Sequence, residues 1–459
     1  MVAEALRRGL EWARPQALWL GVGGLLALVA ALAAVRGNPL IVGTGLLGLF
    51  FLAMIDWPHL AALALFISLM FDQAGRLDVS VAGLPLTMSK LATGVLMGVL
   101  ATRWAMVRPW ASAWTPMSRA LVVLMAAMLW SLIWRQVPEY EDDGTPAGRL
   151  NLVSTAMVIL MAHAVAAAIA DAHVRTVARV AALASMLVLG GAIFNIDETL
   201  GRSAGSFGDP NAWAGVVMLA CHFAFGVLSG ERLGRVATLV VVPGVFAVYA
   251  AALFQSGSRG GLIAAIVLSP LTLWLLRGHW RGLLLGVLAA GLLAPAVTAD
   301  PQFLTTRFSA LWEPELHSSQ HTGVDSIEGR WFFQVLAWEQ FLENPWMGIG
   351  LGGFKTVSAD YFPLFGGRDA HNTYMQVLCE QGLLGISVLA AWLWSVVNMV
   401  WKTVRDPAAP AWVQSAVAGL GVGWLGFALV NTTIGELLTS AFAWFYLGLL
   451  AALVRGGAR

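Results

Sequence analysis

Apolar segments long enough to cross a lipid bilayer follow one another along almost the whole chain. A membrane-crossing helix needs about 20 mostly apolar residues. The 459-residue sequence is 58% hydrophobic and only 12% charged, whereas soluble domains carry roughly 25% charged residues. The apolar runs are continuous rather than alternating, which argues against a β-barrel. We therefore predict an all-α fold, that of a polytopic integral membrane protein.

Fourteen apolar segments are candidate spans. The third segment is short and boundaries drift by a few residues, so we expect about 12–14 transmembrane helices. The first segment follows three arginines, as in a signal peptide, but its length and the apolar segment after it favour a retained helix. The segments are residues 16–35, 39–55, 59–71, 89–107, 119–135, 151–170, 176–197, 211–229, 235–254, 261–277, 281–299, 374–401, 411–430 and 437–455.

Basic residues are distributed unevenly between alternate loops. With a cytoplasmic N-terminus, 16 of the 27 Lys and Arg residues lie on the cytoplasmic side, but only six of the 26 Asp and Glu residues do. An excess of Lys and Arg in short cytoplasmic loops sets orientation. We therefore expect both termini in the cytoplasm and four regions: N-terminal transmembrane helices (1–199), transmembrane helices with Arg-containing outer loops (200–299), a long outer loop (300–373) and C-terminal transmembrane helices (374–459).

The long outer loop contains a helical pattern. Trp331, Val335, Trp338 and Leu342 recur at helical spacing and form one apolar stripe. This spacing predicts an amphipathic helix over residues 327–343 that lies on the membrane surface and is ended by the following Asn-Pro pair.

Two arginines in outer loops are candidate anion ligands. Arg259 lies in a Gly-Ser-Arg-Gly-Gly turn where a helix begins, so the helix dipole and the guanidinium both favour a phosphate. The alternative is an arginine whose head group reaches the membrane interface. Arg330 opens the amphipathic helix beside Trp331; the alternative for it is an ordinary surface arginine.

His371 precedes Asn372 where the chain re-enters the membrane. A neutral imidazole there can accept a proton from a hydroxyl near pH 7, and Asp369 is close enough in sequence to orient it. The alternative is a His-Asn pair that caps a helix. Glu380 and Glu436 are candidates as acids near the outer ends of late helices. Glu380, nine residues after His371, points away from it if one helix carries both.

A second outer loop holds Arg202, Asp209 and Asn211. These residues are candidate substrate ligands, although Asp-Pro-Asn is also a common helix start. His317 and His321 have a spacing that suits a metal, but no third ligand is apparent. The glycines after residue 345 form a tight turn and not a nucleotide fingerprint, since no βαβ unit surrounds them. The sequence carries no nucleic-acid signature.

Taken together, these motifs resemble the O-antigen ligase/polymerase superfamily of bacterial envelope enzymes. The resemblance covers about residues 200–390 and depends on the order of several short motifs: Phe207–Asn211, Gly257–Gly260, Gly329–Trp331, Asn344-Pro345 with the glycines and Phe354 that follow, and His371-Asn372 with Glu380, Gly382 and Gly385.

The resemblance implies a GT-C-type glycosyltransferase in the bacterial inner membrane, with its active site and long loop facing the periplasm. Such enzymes transfer a glycan from undecaprenyl pyrophosphate to an acceptor hydroxyl, with inversion and without a metal or another cofactor. The family's histidine corresponds to His371 and its two arginines to Arg259 and Arg330. We add Arg202, Asp209, Asn211, Asn372, Trp331 and Glu380 as candidate substrate-binding residues.

Several alternatives stay open at this point. The acceptor of a ligase is lipid A–core oligosaccharide, that of an O-antigen or exopolysaccharide polymerase is another lipid-linked repeat, and that of a protein O-oligosaccharyltransferase is a Ser or Thr. A polysaccharide transporter or flippase is a different class. It is disfavoured because transporters place their charged residues near the midplane of the membrane, whereas these lie at the outer boundary.

Overall fold

The structure is a computed structural model of the chain. It describes residues 54–70, 76–81, 84–106, 116–134, 136–138, 141–142, 145–169, 171–192, 209–231, 235–297, 327–361 and 367–457.

Helices make up most of this part of the chain. They correspond closely to the apolar segments of the sequence, and the predicted segments 16–35 and 39–55 lie almost wholly outside the described residues. The helices described over their full length are α1 (Pro58–Met70), α2 (Met88–Met106), α3 (Pro116–Ile133), α4 (Ala147–Ala168), α5 (Val174–Ala192), α6 (Pro210–Ser229), α7 (Arg235–Ser256), α8 (Arg259–Leu275), α9 (Trp280–Val297), α10 (Ile327–Glu343), α11 (Gly353–Tyr361), α12 (Thr373–Arg405), α13 (Ala411–Val430) and α14 (Ala441–Gly457).

Six of the described helices are long and apolar enough to cross a membrane, and the bent pair α8–α9, with an angle of 72°, would add a seventh span. Three shorter apolar helices, in α1, α3 and α14, accompany them. The all-α class and the multi-pass membrane character are therefore confirmed, while the total of about 12–14 transmembrane helices stays a prediction.

Two short antiparallel ribbons connect helices. In one, β1 (Arg76–Val81) pairs with β2 (Leu84–Thr87). In the other, β3 (Glu141–Asp142) pairs with β4 (Thr145–Pro146). The prediction of helices alone overlooked them, although residues 76–81 (RLDVSV) alternate polar and apolar side chains as a half-buried strand does. They leave the all-α class unchanged.

The centre of the bundle is α6, which packs closely along α13. A Cβ atom added to Gly226 would lie 2.8 Å from the Cα of Gly419, and one added to Gly423 would lie 2.8 Å from the carbonyl oxygen of Leu219. Small residues at such crossings let two backbones approach closely, as is common in membrane bundles. This close contact with α13 holds α6 in place along its length. The first turn of α6 therefore has a fixed position at one end of the bundle.

Charged side chains join several loops at the opposite end. Arg175 and Arg179 both donate hydrogen bonds to the Glu231 carboxylate, at distances of 2.7–3.2 Å. Arg455 pairs with Asp171 at 3.1 Å. All of these residues were predicted to lie on the cytoplasmic side, so loops predicted to share one side do lie at one end of the bundle.

The predicted amphipathic helix is confirmed as α10, with the expected bounds. It ends at Asn344, whose N–H donates to the carbonyl oxygens of Gln340 and Phe341. Its apolar stripe faces outward: Trp331 is 67% exposed and Leu342 is 58% exposed.

Candidate active site

A glycine-rich turn after α10 packs into a break in α12. Gly382 interrupts α12 with φ 62° and ψ −159°, a conformation that is essentially restricted to glycine. The Leu383 N–H donates to the Pro345 carbonyl at 2.8 Å, and the Gly350 N–H donates to the Glu380 carbonyl at 3.0 Å. The turn therefore supplies hydrogen-bond partners to backbone groups that the helix break would leave unpaired.

The approach of the turn to α12 requires a second glycine. Gly348 has φ 69°, and a Cβ atom there would lie 2.4 Å from the Cys379 carbonyl oxygen. The Ser131 hydroxyl of α3 donates to the Glu380 carbonyl at 2.8 Å. The prediction of a tight turn is confirmed, and the turn holds the first half of α12 in place.

Beside this first half of α12 lies a cavity of about 300 Å³. Residues from α3, α4, α12, the start of α6 and the loop between α13 and α14 line it. The ionisable and amide side chains of the lining are those of Asn151, Asp209, Asp369, His371, Gln376, Glu380, Gln381 and Glu436.

His371 lies at the edge of this cavity with a strained backbone. Its φ is 50°, and among the non-glycine residues that the structure describes no other φ is positive. Non-glycine residues seldom adopt a positive φ, although histidine does so more often than most, as asparagine and aspartate do. Such conformations are frequent at functional sites. The ring of Phe333, on α10, lies 6.0 Å from the imidazole between centroids.

Glu380 and His371 line the same cavity, contrary to the expectation that Glu380 points away. That expectation required one helix to carry both residues, but α12 begins at Thr373, after His371. Gln376 Nε2 donates to Glu380 at 3.2 Å and to Asp369 at 3.0 Å. Asp369 is therefore held by Gln376 and also pairs with Lys355 at 3.4 Å.

Arg330 lies on α10, one turn before Phe333 and therefore on the same face of the helix. Its Nε atom is buried and has no hydrogen-bond partner among the described residues. Because Phe333 contacts the His371 ring, α10 carries Arg330 towards the histidine side of the site.

Arg259 is the first residue of α8, after the N-cap Ser258, whose Oγ accepts a hydrogen bond from the Gly261 N–H at 3.2 Å. A Cβ atom on Gly260 would lie 2.7 Å from Thr433 Oγ1. Thr433 belongs to the loop between α13 and α14, and the following residues of that loop line the cavity. The start of α8 is therefore next to the cavity wall.

Two of the predicted ligands are helix caps. Asp209 accepts a hydrogen bond from the Asn211 N–H at 2.6 Å at the start of α6 and also lines the cavity. Asn372 caps α12 by accepting hydrogen bonds from the N–H groups of Tyr374 and Met375. Local helix capping accounts for these contacts without a ligand.

Other predicted residues are placed differently. Asn211 is buried in the first turn of α6. Trp331 faces outward and is not among the residues that line the cavity. Arg202, His317 and His321 lie outside the described residues. Within the described part of the chain, no group of three or more His, Cys, Asp or Glu residues is arranged to hold a metal ion.

Arg368 is a candidate that the sequence reasoning missed. Its backbone is fixed by two hydrogen bonds with Ser358 Oγ, at 2.8 and 2.9 Å. Its Nε atom is buried without a hydrogen-bond partner among the described residues. It lies three residues before His371 in a loop without helical periodicity, so only its nearness to the histidine in sequence could have indicated it.

A comparison with protein families covers most of the residues of this site. Residues 244–390 match the family model of the O-antigen ligases. This segment is similar to an O-antigen ligase domain. The match confirms the resemblance to the O-antigen ligase-like superfamily, and the domain contains Arg259, Arg330, Arg368, His371 and Glu380. No curated protein matches the chain.

Beyond the O-antigen ligase domain, the loop between α13 and α14 adds Glu436 to the cavity. Burial raises the pKa of the Glu436 carboxyl from 4.5 to about 7, and the negative charge of Asp209 adds to the increase. The raised pKa means that folding favours the protonated form. Glu436 therefore contributes most to stability below pH 4.5, and this contribution is lost as pH rises through about 7.

We expect the substitution Glu436→Gln to remove this pH dependence. The neutral amide resembles the protonated acid, so the variant should be more stable than the wild type by about 1 kcal/mol at pH 5 and by up to about 3 kcal/mol at pH 8.5. Thermal unfolding in one detergent between pH 5 and pH 9 measures the difference.

Glu231→Gln is the matched control. Hydrogen bonds from Arg179 and then Arg175 lower the pKa of Glu231, so its contribution is lost only as pH falls below its ordinary value of 4.5. The control should be destabilised equally from pH 6 to pH 9. Parallel pH profiles of the wild type and Glu436→Gln would contradict the assignment.

Proposed function

We propose that this protein transfers a glycan from undecaprenyl pyrophosphate to a hydroxyl of lipid A–core oligosaccharide, on the periplasmic face of the bacterial inner membrane. The O-antigen ligase domain supports this general class of reaction. The pyrophosphate linkage is already activated, so the reaction requires no nucleotide, metal or other cofactor.

The observation that carries the proposal is the position of His371. A strained histidine lies at the edge of a polar cavity, and its ring contacts the helix that bears Arg330. In the proposed reaction, the imidazole accepts the proton of the acceptor hydroxyl. The acceptor oxygen attacks the anomeric carbon from the face opposite the leaving group, the bond from that carbon to the pyrophosphate oxygen breaks, and its electron pair stays on the oxygen.

Arg259 and Arg330 would stabilise the negative charge that develops on the departing pyrophosphate. Positioned cations lower the energy of such a transition state because the charge is greatest there. Arginine suits the role since its planar guanidinium can bind two phosphate oxygens and stays charged. The buried Arg330 Nε, without a partner among the described residues, is a donor available for this contact.

The exposed stripe of α10 fits contact with the bilayer. Trp331, Trp338 and Leu342 are 45–67% exposed, and such apolar faces lie in the membrane interface. An interfacial α10 would hold Arg330 at the depth of the donor's pyrophosphate while the lipid tail remains in the bilayer. The clustering of site residues at one end of the bundle also supports catalysis there over a transport path through the midplane.

Deletion of the gene, followed by gel analysis of lipopolysaccharide, tests the proposal. A ligase predicts loss of the whole long-chain ladder from lipid A–core, with lipid-linked polymer accumulating. A single repeat still attached to the core would instead show a polymerase. An unchanged profile would contradict both and direct attention to protein glycosylation or exopolysaccharide assembly.

We expect Arg330→Ala to lower kcat/KM for the lipid-linked donor by about 100-fold, the scale lost with a transition-state donor. Arg330→Lys should recover only part of the loss, since an ammonium cannot replace the guanidinium fork. The control is Arg179→Ala, at the opposite end of the bundle, which should keep the donor KM. Steady-state transfer in nanodiscs measures all three, and an Arg330→Ala enzyme with wild-type donor kinetics would exclude Arg330 from the donor site.

A further inference from the structure

We infer that the cavity beside His371 is a sugar subsite that selects neutral or cationic sugars over anionic ones, and that Gln381 is one of its ligands. In the proposed reaction, which this inference extends, the sugar is the one that carries the acceptor hydroxyl. The pyrophosphate would then bind outside the cavity, on the arginine side of His371.

The charge of the cavity wall is the first argument. Asp209, Asp369, Glu380 and Glu436 line it, and the described lining residues include no lysine or arginine. The Lys355 ammonium pairs with Asp369, but the described structure shows no salt bridge to the other three carboxyl groups. A cleft lined by one sign of charge repels ligands of the same sign. Protonation of Glu436 as pH falls through about 7 weakens this repulsion without reversing it, so the cavity is unsuited to a pyrophosphate.

Gln381 is the second and independent argument. It is only 3% exposed, it lines the cavity, and its Oε1 atom is buried without a hydrogen-bond partner in the described structure. A buried acceptor left unpaired is costly, and such groups in native structures call for a partner. An amide oxygen only accepts hydrogen bonds, so a partner for it would be a donor, such as a sugar hydroxyl or an amine.

The remaining polar groups agree with this requirement. Carboxylates accept hydrogen bonds and do not donate them when ionised, whereas the Asn151 amide and the Thr155 and Thr439 hydroxyls of the lining can do both. The cavity therefore offers acceptors together with a few donors, as a sugar hydroxyl requires. A sugar supplies several hydroxyl donors, and an amino sugar adds a positive charge. The volume of about 300 Å³ is at the lower end of the range for small-molecule sites.

His371 lies between the acidic cavity and α10, the helix that carries Arg330. It lines the cavity, yet its ring also contacts Phe333 on α10, the helix of Arg330. Arg330 and Arg368 are not among the cavity-lining residues, and each has a buried Nε without a hydrogen-bond partner in the described structure. This arrangement places a proton acceptor between a site for hydroxyl donors and a site for anions.

Saturation-transfer NMR on the full chain in nanodiscs tests the subsite with three probes: glucosamine, glucose and glucuronate. We expect affinity to fall in that order. Gln381→Leu, which removes the acceptor oxygen, should weaken glucose binding about 5–10-fold, the scale of one hydrogen bond. Gln381→Glu keeps the shape of the side chain and adds a negative charge. This variant should therefore increase the ratio of glucosamine affinity to glucuronate affinity. Gly94→Ala, a site with open space around it, is the control.

Inorganic pyrophosphate, followed by phosphorus NMR, is the fourth probe. Its binding should be unaffected by Gln381→Leu and weakened by Arg330→Ala. Equal binding of glucosamine and glucuronate, or sugar binding indifferent to both Gln381 variants, would overturn the subsite. Because these readouts measure binding, an enzyme that binds sugars as expected but transfers no glycan would overturn the proposed function alone.

Discussion

Replacing His371 with alanine is expected to lower glycan transfer by at least about 100-fold and by as much as about 10,000-fold, the range that a general base contributes. The KM values for donor and acceptor should change much less, since the imidazole acts on the hydroxyl proton and not on binding. The measurement is steady-state transfer by purified enzyme in nanodiscs, with lipid-linked donor and acceptor varied separately.

The unusual backbone of His371 provides a sharper version of this test. Because φ is 50°, alanine carries a backbone strain of its own, while glycine and asparagine adopt such angles more readily. His371→Gly and His371→Asn therefore keep the loop and remove the imidazole. Both should fold at least as stably as His371→Ala and be equally inactive. An active His371→Asn enzyme would show that the loop conformation matters and the imidazole does not.

Sequence patterns predicted the membrane helices and α10 well, because burial in lipid and helix periodicity act locally. The bounds of α10 and its end at Asn344-Pro345 followed from its stripe and its proline. The same patterns gave candidates for the site, namely His371, Arg259 and Arg330, because polar residues are rare in such a chain. They did not give the arrangement of the site, which depends on how distant segments meet.

The break in α12 shows why. The apolar pattern continues through residues 374–401, so the sequence predicted one continuous segment, yet the helix is interrupted at Gly382. The interruption is stable only because the glycine-rich turn supplies its hydrogen bonds from another part of the chain. The contributions of Gln381 and Arg368 were equally hidden, since each depends on burial next to residues far away in sequence.

The interruption at Gly382 leads to the second large expected effect, for the substitution Gly382→Ala. A Cβ atom there would lie 2.5 Å from the backbone of Trp346, and the φ and ψ values are essentially closed to alanine. We expect a loss of about 3 kcal/mol or more, from strain and from the displaced turn, and a thermal midpoint lower by roughly 3 °C or more.

Activity should fall together with stability in this variant, because the same backbone holds Glu380 and Gln381 at the cavity. Gly94→Ala is the matched control: nothing lies within 4 Å of its added Cβ, so alanine should be neutral or stabilise α2 by up to about 1 kcal/mol. Thermal unfolding and transfer rates of both variants in nanodiscs measure the effect. If Gly382→Ala unfolded and turned over like Gly94→Ala, α12 would have to pass this point as a regular helix, and the cavity would lack its inner wall.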